Sequence, residues 1–91
     1  MLEVRLSKQF RKSFKKVKSH KGFKHEVFEY VIYTLSARLE LPYKFHDHPL
    51  VGNHKDKREC HLAPDILLIY RVEEDAIYLD LLDIGSHSSL F

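Results

Sequence analysis

Histidines and acidic residues in the second half of the chain are the side chains best suited to acid–base chemistry. Five of the seven histidines lie after residue 45. Histidine titrates near neutral pH, so one imidazole can accept a proton while another donates one. Cleavage of RNA requires such a pair, because one group takes the 2′-OH proton, another protonates the leaving 5′-oxygen, and a cation steadies the phosphate. The candidate groups are His46, His48, His54, Arg58, His61, Asp65 and His87.

Each histidine could instead be an ordinary surface or hydrogen-bonded residue, and this is the interpretation we keep for His46 and His54. Metal binding is the other alternative. His46 and His48 are two residues apart, and His61 and Asp65 are four apart across a turn. Neither spacing is typical of a zinc site, and there is no cysteine pair. We therefore predict no bound metal and no other cofactor.

Two further residues have one structural and one functional interpretation each. Cys60 is the single cysteine and cannot form an internal disulfide, which fits a reducing compartment. Strand alternation groups Cys60 with Leu62, which favours a small buried side chain over a nucleophile. Phe91 could complete the core, or it could stack on a base of single-stranded RNA.

Charge is distributed unevenly along the chain. Residues 1–25 carry nine basic side chains and one acidic one, a net charge of +8, whereas residues 26–91 carry six basic and twelve acidic ones. A basic segment of this kind is typical of proteins that bind a polyanion, most often a nucleic acid. The alternative is a helix face that is simply solvated.

The first half of the chain is predicted to form a strand and two helices. Alternation of apolar residues over residues 2–6 indicates a half-buried strand. Ser7 suits a helix N-cap, and the spacing of the aromatic residues after it predicts a basic amphipathic helix. A second helix is predicted over about residues 23–40, ending before Pro42. Because the connection is short, the two helices should form a hairpin.

The second half is predicted to contain a loop and three strands. Residues 41–57 hold two prolines, one glycine and three histidines without periodicity, so we predict a long loop of the kind that is often functional. Residues 58–62 and 65–72 should form a hairpin about a turn at Pro64 and Asp65. Residues 76–82 have the apolar bias of a last strand.

The predicted order, β-α-α-β-β-β, indicates a single α+β domain over residues 1–91, with the helix hairpin packed on one face of a mostly antiparallel sheet. If the last strand pairs beside the central hairpin, His87 returns to the same end of the sheet as Asp65. No apolar run approaches the ~20 residues of a membrane span. The N-terminal residues also lack the apolar core of a secretory signal, so we expect a cytoplasmic protein without membrane partners.

Four motifs in the chain resemble the YafQ-type toxins of the RelE superfamily. They are DHPLVGN at residues 47–53, RECHLAPD at 58–65, LLIY at 67–70 and GSHSSLF at 85–91. The resemblance covers the C-terminal half in motif detail and the whole chain in length and element order. It implies a RelE-like fold, ribosome-dependent cleavage of mRNA, and neutralisation by a cognate antitoxin.

The resemblance also implies roles for individual residues. His48 or Asp65 would be the general base and His87 the general acid. His61 and Arg58 would orient or stabilise the phosphate. The resemblance also implies contact of Phe91 with the mRNA. The charge of residues 1–25, and not the resemblance, predicts that Lys12, Lys15 and Lys16 of the basic helix contact ribosomal RNA.

Two positions depart from the family pattern. Ile66 stands where close relatives often have tryptophan, and Asp83 stands where an arginine that would stabilise phosphate charge is typical. Arg58 is the candidate replacement for that cation. The alternative functions are a toxin of the same fold that inhibits the ribosome or gyrase by binding alone, and a small metal-binding protein that would carry stoichiometric zinc.

Overall fold

The computed structural model describes residues 1–52, 56–73, 75 and 77–91, so the candidate His54 lies outside the described residues. The elements in chain order are β1 (Glu3–Leu6), α1 (Lys8–Val17), α2 (His25–Ser36), a 3-10 turn (Tyr43–Phe45), β2 (His48–Pro49), β3 (Arg58–Ala63), β4 (Ile66–Val72), β5 (Tyr78–Gly85) and α3 (His87–Leu90). They build a five-stranded sheet of order β1-β5-β4-β3-β2. β1 runs parallel to β5, and the other neighbours are antiparallel, as the predicted fold class requires.

The first helix begins where the sequence predicts it. The Ser7 hydroxyl accepts a hydrogen bond from the Phe10 N–H at 2.9 Å and donates one to the Leu82 carbonyl at 2.8 Å. This cap fixes the start of α1 on β5, and losing such a cap costs about 1 kcal/mol. Phe10 and Val17 are buried on the inner side of α1, so its lysines face solvent.

Aromatic rings join α1 and α2 into the predicted hairpin. The ring centroid of Phe14 lies 5.5 Å from that of Phe10 and 5.2 Å from that of Phe28. Phe23, in the connection, meets Phe14 edge-on at 5.7 Å. Such pairs contribute about 0.5–1.5 kcal/mol each beyond the area that they bury, so the basic helix is held firmly in place.

The second helix is shorter than the predicted 23–40. It ends at Ser36 because Arg38 adopts a left-handed conformation with a φ of 59°. The Leu39 N–H then donates to the Thr34 carbonyl at 3.0 Å, which is a Schellman ending. Leu39, which the apolar spacing assigned to the buried stripe, is therefore 58% exposed.

The strands differ from the prediction mainly at their ends. The predicted loop over residues 41–57 contains the 3-10 turn and β2, which pairs with β3. The last strand runs over Tyr78–Gly85 rather than 76–82, since Asp83 continues the ladder opposite Ile69. The C-terminal motif is not an irregular tail, because Ser86 caps the short helix α3.

The two faces of the sheet differ in chemistry. Successive side chains of a strand point to opposite faces. Cys60, Leu68 and Tyr70 join the core beneath the helices. The alternate positions, which include Glu59 and Leu67, are also buried but lie outside that core cluster. The second face therefore carries side chains of β3 that are not part of the core under the helices.

Cys60 is confirmed as a buried residue. It is 0% exposed, and burial raises the pKa of its thiol to about 12, so it remains protonated and unreactive at neutral pH.

Among the described residues, no helix has both the length and the apolar character needed to cross a membrane.

Candidate active site

Two imidazoles and one carboxylate meet at the edge of the sheet formed by β2 and β3. His48 lies directly opposite Glu59 in the strand register, and His61 follows Glu59 by two positions on the same face. His48 Nε2 lies 3.3 Å from Glu59 Oε1, and His61 Nε2 lies 3.8 Å from the same oxygen. We call these three residues the histidine–carboxylate cluster.

Glu59 is the member of the cluster that sequence reasoning missed. Its side chain is 9% exposed, and a buried carboxylate needs partners to offset its desolvation. The two imidazoles supply them. The signal was present in the RECHL segment, because the alternation that places Cys60 and Leu62 on one face places Glu59 and His61 together on the other.

His46 also lies beside the cluster. It ends the 3-10 turn in a left-handed conformation with a φ of 48°, and its ring centroid is 5.5 Å from that of His61. The sequence interpretation of His46 as an ordinary surface residue overlooked this contact. No spacing rule reveals it, because His46 and His61 come together through the pairing of β2 with β3.

Asp47 points to the opposite face from its histidine neighbours. Its Oδ1 accepts a hydrogen bond from the Tyr70 hydroxyl at 2.5 Å and one from Arg58 Nε at 3.2 Å. Burial, and then the hydrogen bond to Asp47, raise the pKa of Tyr70. Tyr70 therefore stays protonated and acts as a donor.

The structure does not bring Arg58 to the place of the absent family arginine. Arg58 binds Asp47, and strand alternation puts it on the face opposite Glu59. Asp83 lies on the same face of the sheet as Glu59, since the two residues pair with Ile69 from the strands on either side of it. Its Oδ1 accepts the Ile84 N–H at 2.8 Å, so the carboxylate is turned toward its own backbone.

Asp65 lies in the β3–β4 turn, with its side chain 66% exposed. Its Oδ2 is 3.9 Å from Nε2 of His20, a histidine that follows α1. The Gly22 N–H donates to His20 Nδ1 at 3.0 Å, so the neutral ring carries its proton on Nε2, facing Asp65. His20 is therefore another titratable residue near the β3–β4 turn, and the sequence motifs did not indicate it.

His87 returns to the end of the sheet that was predicted for it. Gly85 pairs with Leu67, which in turn pairs with His61, so the chain leaves β5 beside the β3–β4 turn. A Cβ atom on Gly85 would lie 2.6 Å from Ser89 Oγ, so a larger residue there would force the Ser89 side chain to move. The ring of His87 lies 5.3 Å from that of Phe91, and Phe91 is 57% exposed.

The predicted RNA-binding lysines are exposed on α1. Lys12, Lys15 and Lys16 all face solvent. Lys16 also lines a cleft of about 290 Å³ together with His20, Asp83 and the start of α3. The basic helix surface is therefore continuous with the end of the sheet that carries His87.

The histidine–carboxylate cluster has a donor set that could hold a metal ion. Among the described residues, His48, Glu59 and His61 each offer one ligand atom, and these atoms lie within 4.8 Å of one another. Two imidazoles and a carboxylate suit zinc, copper or nickel. The spacings weighed in the sequence missed this set because its members lie on two different strands. The prediction that no metal binds stays a prediction.

Comparisons with known proteins agree over the whole chain. The family model described as "Bacterial toxin of type II toxin-antitoxin system, YafQ" matches residues 2–91. The mRNA interferase toxin YafQ of Escherichia coli K12 is similar, with 27% identity over 98% of this chain and 95% of its own.

Two solved structures show the same architecture. A copper-bound mutant toxin from Helicobacter pylori superposes with a TM-score of 0.92 at 43% identity, covering 100% of both chains. The E. coli DinJ–YafQ complex gives a TM-score of 0.86 at 29% identity, covering 100% of this chain and 99% of the other.

Proposed function

This chain belongs to the YafQ family of bacterial type II toxins, and we propose that it is an endoribonuclease that cuts mRNA on the ribosome by general acid–base catalysis. The similar E. coli protein named an mRNA interferase supports this reaction. The proposed place of action is the cytoplasm. The observation in this chain that carries the proposal is the histidine–carboxylate cluster, in which two imidazoles flank one buried carboxylate oxygen.

His48 is the proposed general base. Its Nδ1 lies 3.1 Å from the Pro49 carbonyl and its Nε2 lies 3.3 Å from Glu59 Oε1. Donation of the Nδ1 proton to the Pro49 carbonyl leaves the lone pair on Nε2, which can take the proton of the 2′-OH when RNA is bound. The Glu59 carboxylate beside Nε2 then stabilises the imidazolium that forms. Asp65 is the second candidate for the base, but it is the more exposed group and lies against His20.

His87 is the proposed general acid, and it acts from the opposite side of the same end of the sheet. It is exposed at the first position of α3, so its ring is accessible to a bound message. Phe91 lies beside it and offers an exposed ring for base stacking. His61, 33% exposed next to Glu59, is placed to donate a hydrogen bond to the phosphate.

Lys16 is better placed than Arg58 to supply the cation at the phosphate. Arg58 already binds Asp47, whereas Lys16 lines the same cleft as Asp83, the position where the family has arginine. We therefore assign Lys16 to phosphate contact and keep Arg58 for the support of Asp47. The other lysines of α1 extend the positive surface toward ribosomal RNA.

Primer extension on ribosome-bound message tests the proposed reaction. We expect toxin that has been stripped of metal with EDTA and then dialysed to cleave ribosome-bound message in a buffer whose only divalent ion is the Mg²⁺ that the ribosome needs, because side chains move both protons. The same message should stay intact without ribosomes. Loss of cleavage after stripping, with recovery on adding a transition metal, would refute the metal-independent mechanism. Arrest of translation without any cleavage would favour the alternative of inhibition by binding.

The same cleavage assay can be repeated with added metal ions. The copper-bound H. pylori relative supports metal binding. Among the described residues, His48, Glu59 and His61 are the donor set proposed to hold the ion, which would occupy the lone pairs of both imidazoles. Added Zn²⁺ should therefore suppress cleavage. Calorimetry should show zinc binding that weakens in His61→Gln and persists in His25→Gln, a control on the exposed face of α2.

A cognate antitoxin is the proposed partner, supported by the complex of E. coli YafQ with DinJ. The chain offers an apolar groove between the edge strand β1 and the helix hairpin. Val4 and Leu6 on β1 are 38% and 41% exposed, which corrects the half-buried strand that the sequence predicted. Exposed apolar side chains beside a basic helix fit a partner segment with an apolar face and acidic flanks. The groove is lined by Val4, Leu6, Phe10, Phe14, Phe28, Glu29, Ile32, Tyr33 and Leu81.

Leu6→Glu should weaken antitoxin binding by at least about tenfold, because a charge replaces an apolar contact at the centre of the interface. Hydrogen exchange on adding antitoxin should show protection of β1 and α1. Val51→Glu is the matched control, since Val51 is 86% exposed and far along the chain from the groove. Equal affinity for both variants, with protection confined to other elements, would remove the groove from the interface.

A further inference from the structure

Hydrogen bonds at Asp47 link the edge of the sheet to its centre. Asp47 precedes the edge strand β2, whereas Tyr70 belongs to β4, which lies between β3 and β5. One oxygen of Asp47 accepts from both the Tyr70 hydroxyl, at 2.5 Å, and Arg58 Nε, at 3.2 Å. The Asp47 side chain is 22% exposed and Tyr70 is 1% exposed, so water competes weakly for these bonds.

The strand that carries His48 needs such support. β2 consists of His48 and Pro49, and proline has no N–H to donate. The next hydrogen bond along this edge runs from the Leu50 N–H to the Lys57 carbonyl at 3.0 Å. Short edge segments with few hydrogen bonds open readily, so the ladder alone fixes His48 weakly.

Alternation connects the buried link to His48. Neighbouring side chains in extended backbone point to opposite faces. Anchoring Asp47 on the face that carries Tyr70 therefore directs His48 to the other face, where its Nε2 lies 3.3 Å from Glu59. A slip of Asp47 would move His48 with it.

We propose that Tyr70 and Arg58 are positioning residues for the cleavage reaction, which hold Asp47 and thereby keep His48 against Glu59. The inference rests on the proposed role of His48 as general base. Tyr70 brings a hydroxyl into a core position that phenylalanine would fill equally well, so the hydroxyl is explained by Asp47 rather than by packing. Burial raises the pKa of that hydroxyl, which keeps it a donor.

Tyr70→Phe tests the proposal because it removes the hydroxyl and keeps the buried ring. Misplacement of His48 should lower the cleavage rate at saturating ribosome concentration by about 10–100-fold, while ribosome affinity stays close to wild type. Loss of one buried hydrogen bond should also lower the melting temperature, by about 4–8 °C per kcal/mol for a domain of this size, but leave the protein folded at the assay temperature. Tyr78→Phe is the matched control. Tyr78 is a strand tyrosine whose ring lies 3.8 Å from the Arg5 guanidinium, and that contact survives loss of the hydroxyl, so the control should cleave at the wild-type rate.

A double-mutant cycle separates positioning from general destabilisation. His48→Gln should lower the rate by itself, and adding Tyr70→Phe should cause no further loss, because Tyr70 acts through His48. Additive losses, or a wild-type rate for Tyr70→Phe, would overturn the proposal. A wild-type rate for His48→Gln would overturn the proposed base instead, and positioning is then decided by a measurement that needs no activity.

That measurement is NMR of the free toxin. Three-bond couplings report whether the χ1 angle of His48 occupies one rotamer. We expect one rotamer in the wild type, but averaged couplings in Tyr70→Phe, with faster exchange of the Leu50 amide and unchanged exchange in β5. Couplings and Leu50 exchange that match the wild type would show that Tyr70 does not position His48.

Discussion

Replacing His87 with glutamine is expected to lower mRNA cleavage by about 10²–10⁴-fold, the usual contribution of a general acid. Glutamine keeps a polar side chain of similar reach but cannot transfer a proton. His87 is exposed at the start of α3, and Ser86 caps that helix without it, so stability should not change. Primer extension on ribosome-bound message measures the effect, and thermal melting and ribosome binding show that the protein is otherwise intact.

His25→Gln is the control for the loss of a histidine as such. His25 is 63% exposed on α2 and pairs with Glu29 at 2.8 Å, so it has no part in the proposed proton transfer. It should cleave at the wild-type rate. If His87→Gln also does so, the acid lies elsewhere, and the exposed pair of His87 and Phe91 would have to be explained by binding alone.

Reversing the charge of the basic helix is expected to reduce ribosome affinity by about 100-fold or more at physiological salt. Lys12, Lys15 and Lys16 face solvent on α1, and each phosphate contact that is lost removes its share of counterion release. The triple Lys→Glu variant should therefore also show a shallower dependence of affinity on salt concentration. Filter binding or light scattering over a salt titration measures both.

Two further variants test whether the loss of ribosome affinity comes from the lost positive charge and whether Lys16 has a separate role in cleavage. The triple Lys→Arg variant keeps the charge and should bind as the wild type does. Lys12→Glu with Lys15→Glu leaves Lys16 in the cleft beside Asp83, so it should lose affinity while retaining cleavage at saturating ribosome. Equal salt slopes for the wild type and the triple Glu variant would remove α1 from the binding surface.

Local signals in the sequence were sufficient to predict the secondary-structure elements and the end of the sheet at which the candidate site lies. Ser7 and the aromatic spacing after it predicted α1, and the turn at Pro64 and Asp65 predicted the β3–β4 hairpin. Both depend on interactions between near neighbours in the chain. The predicted end of α2 was wrong because Arg38 adopts a left-handed conformation that ends the helix. Glycine would have indicated such a conformation in the sequence, whereas arginine does not.

The arrangement of the site itself depends on pairing between strands, which no local pattern encodes. Glu59 meets His48 because β2 pairs with β3 in one register, and the same register brings His46 to His61. Arg58 looked like a free cation in the sequence. The fold gives it Asp47 as a partner, so its proposed role moves from the phosphate to the support of the loop that carries His48.

The position of β5 between β1 and β4 decides when this chain can fold during its own synthesis. β5 pairs with β1 on one side and β4 on the other, so the first strand must wait for the last, and the paired side chains of Arg5 and Asp80 are 75 residues apart. Contacts of such high sequence separation form late and slowly. We therefore expect the groove beside β1 to form only after β5 has emerged, so that an antitoxin binds the finished chain rather than the growing one.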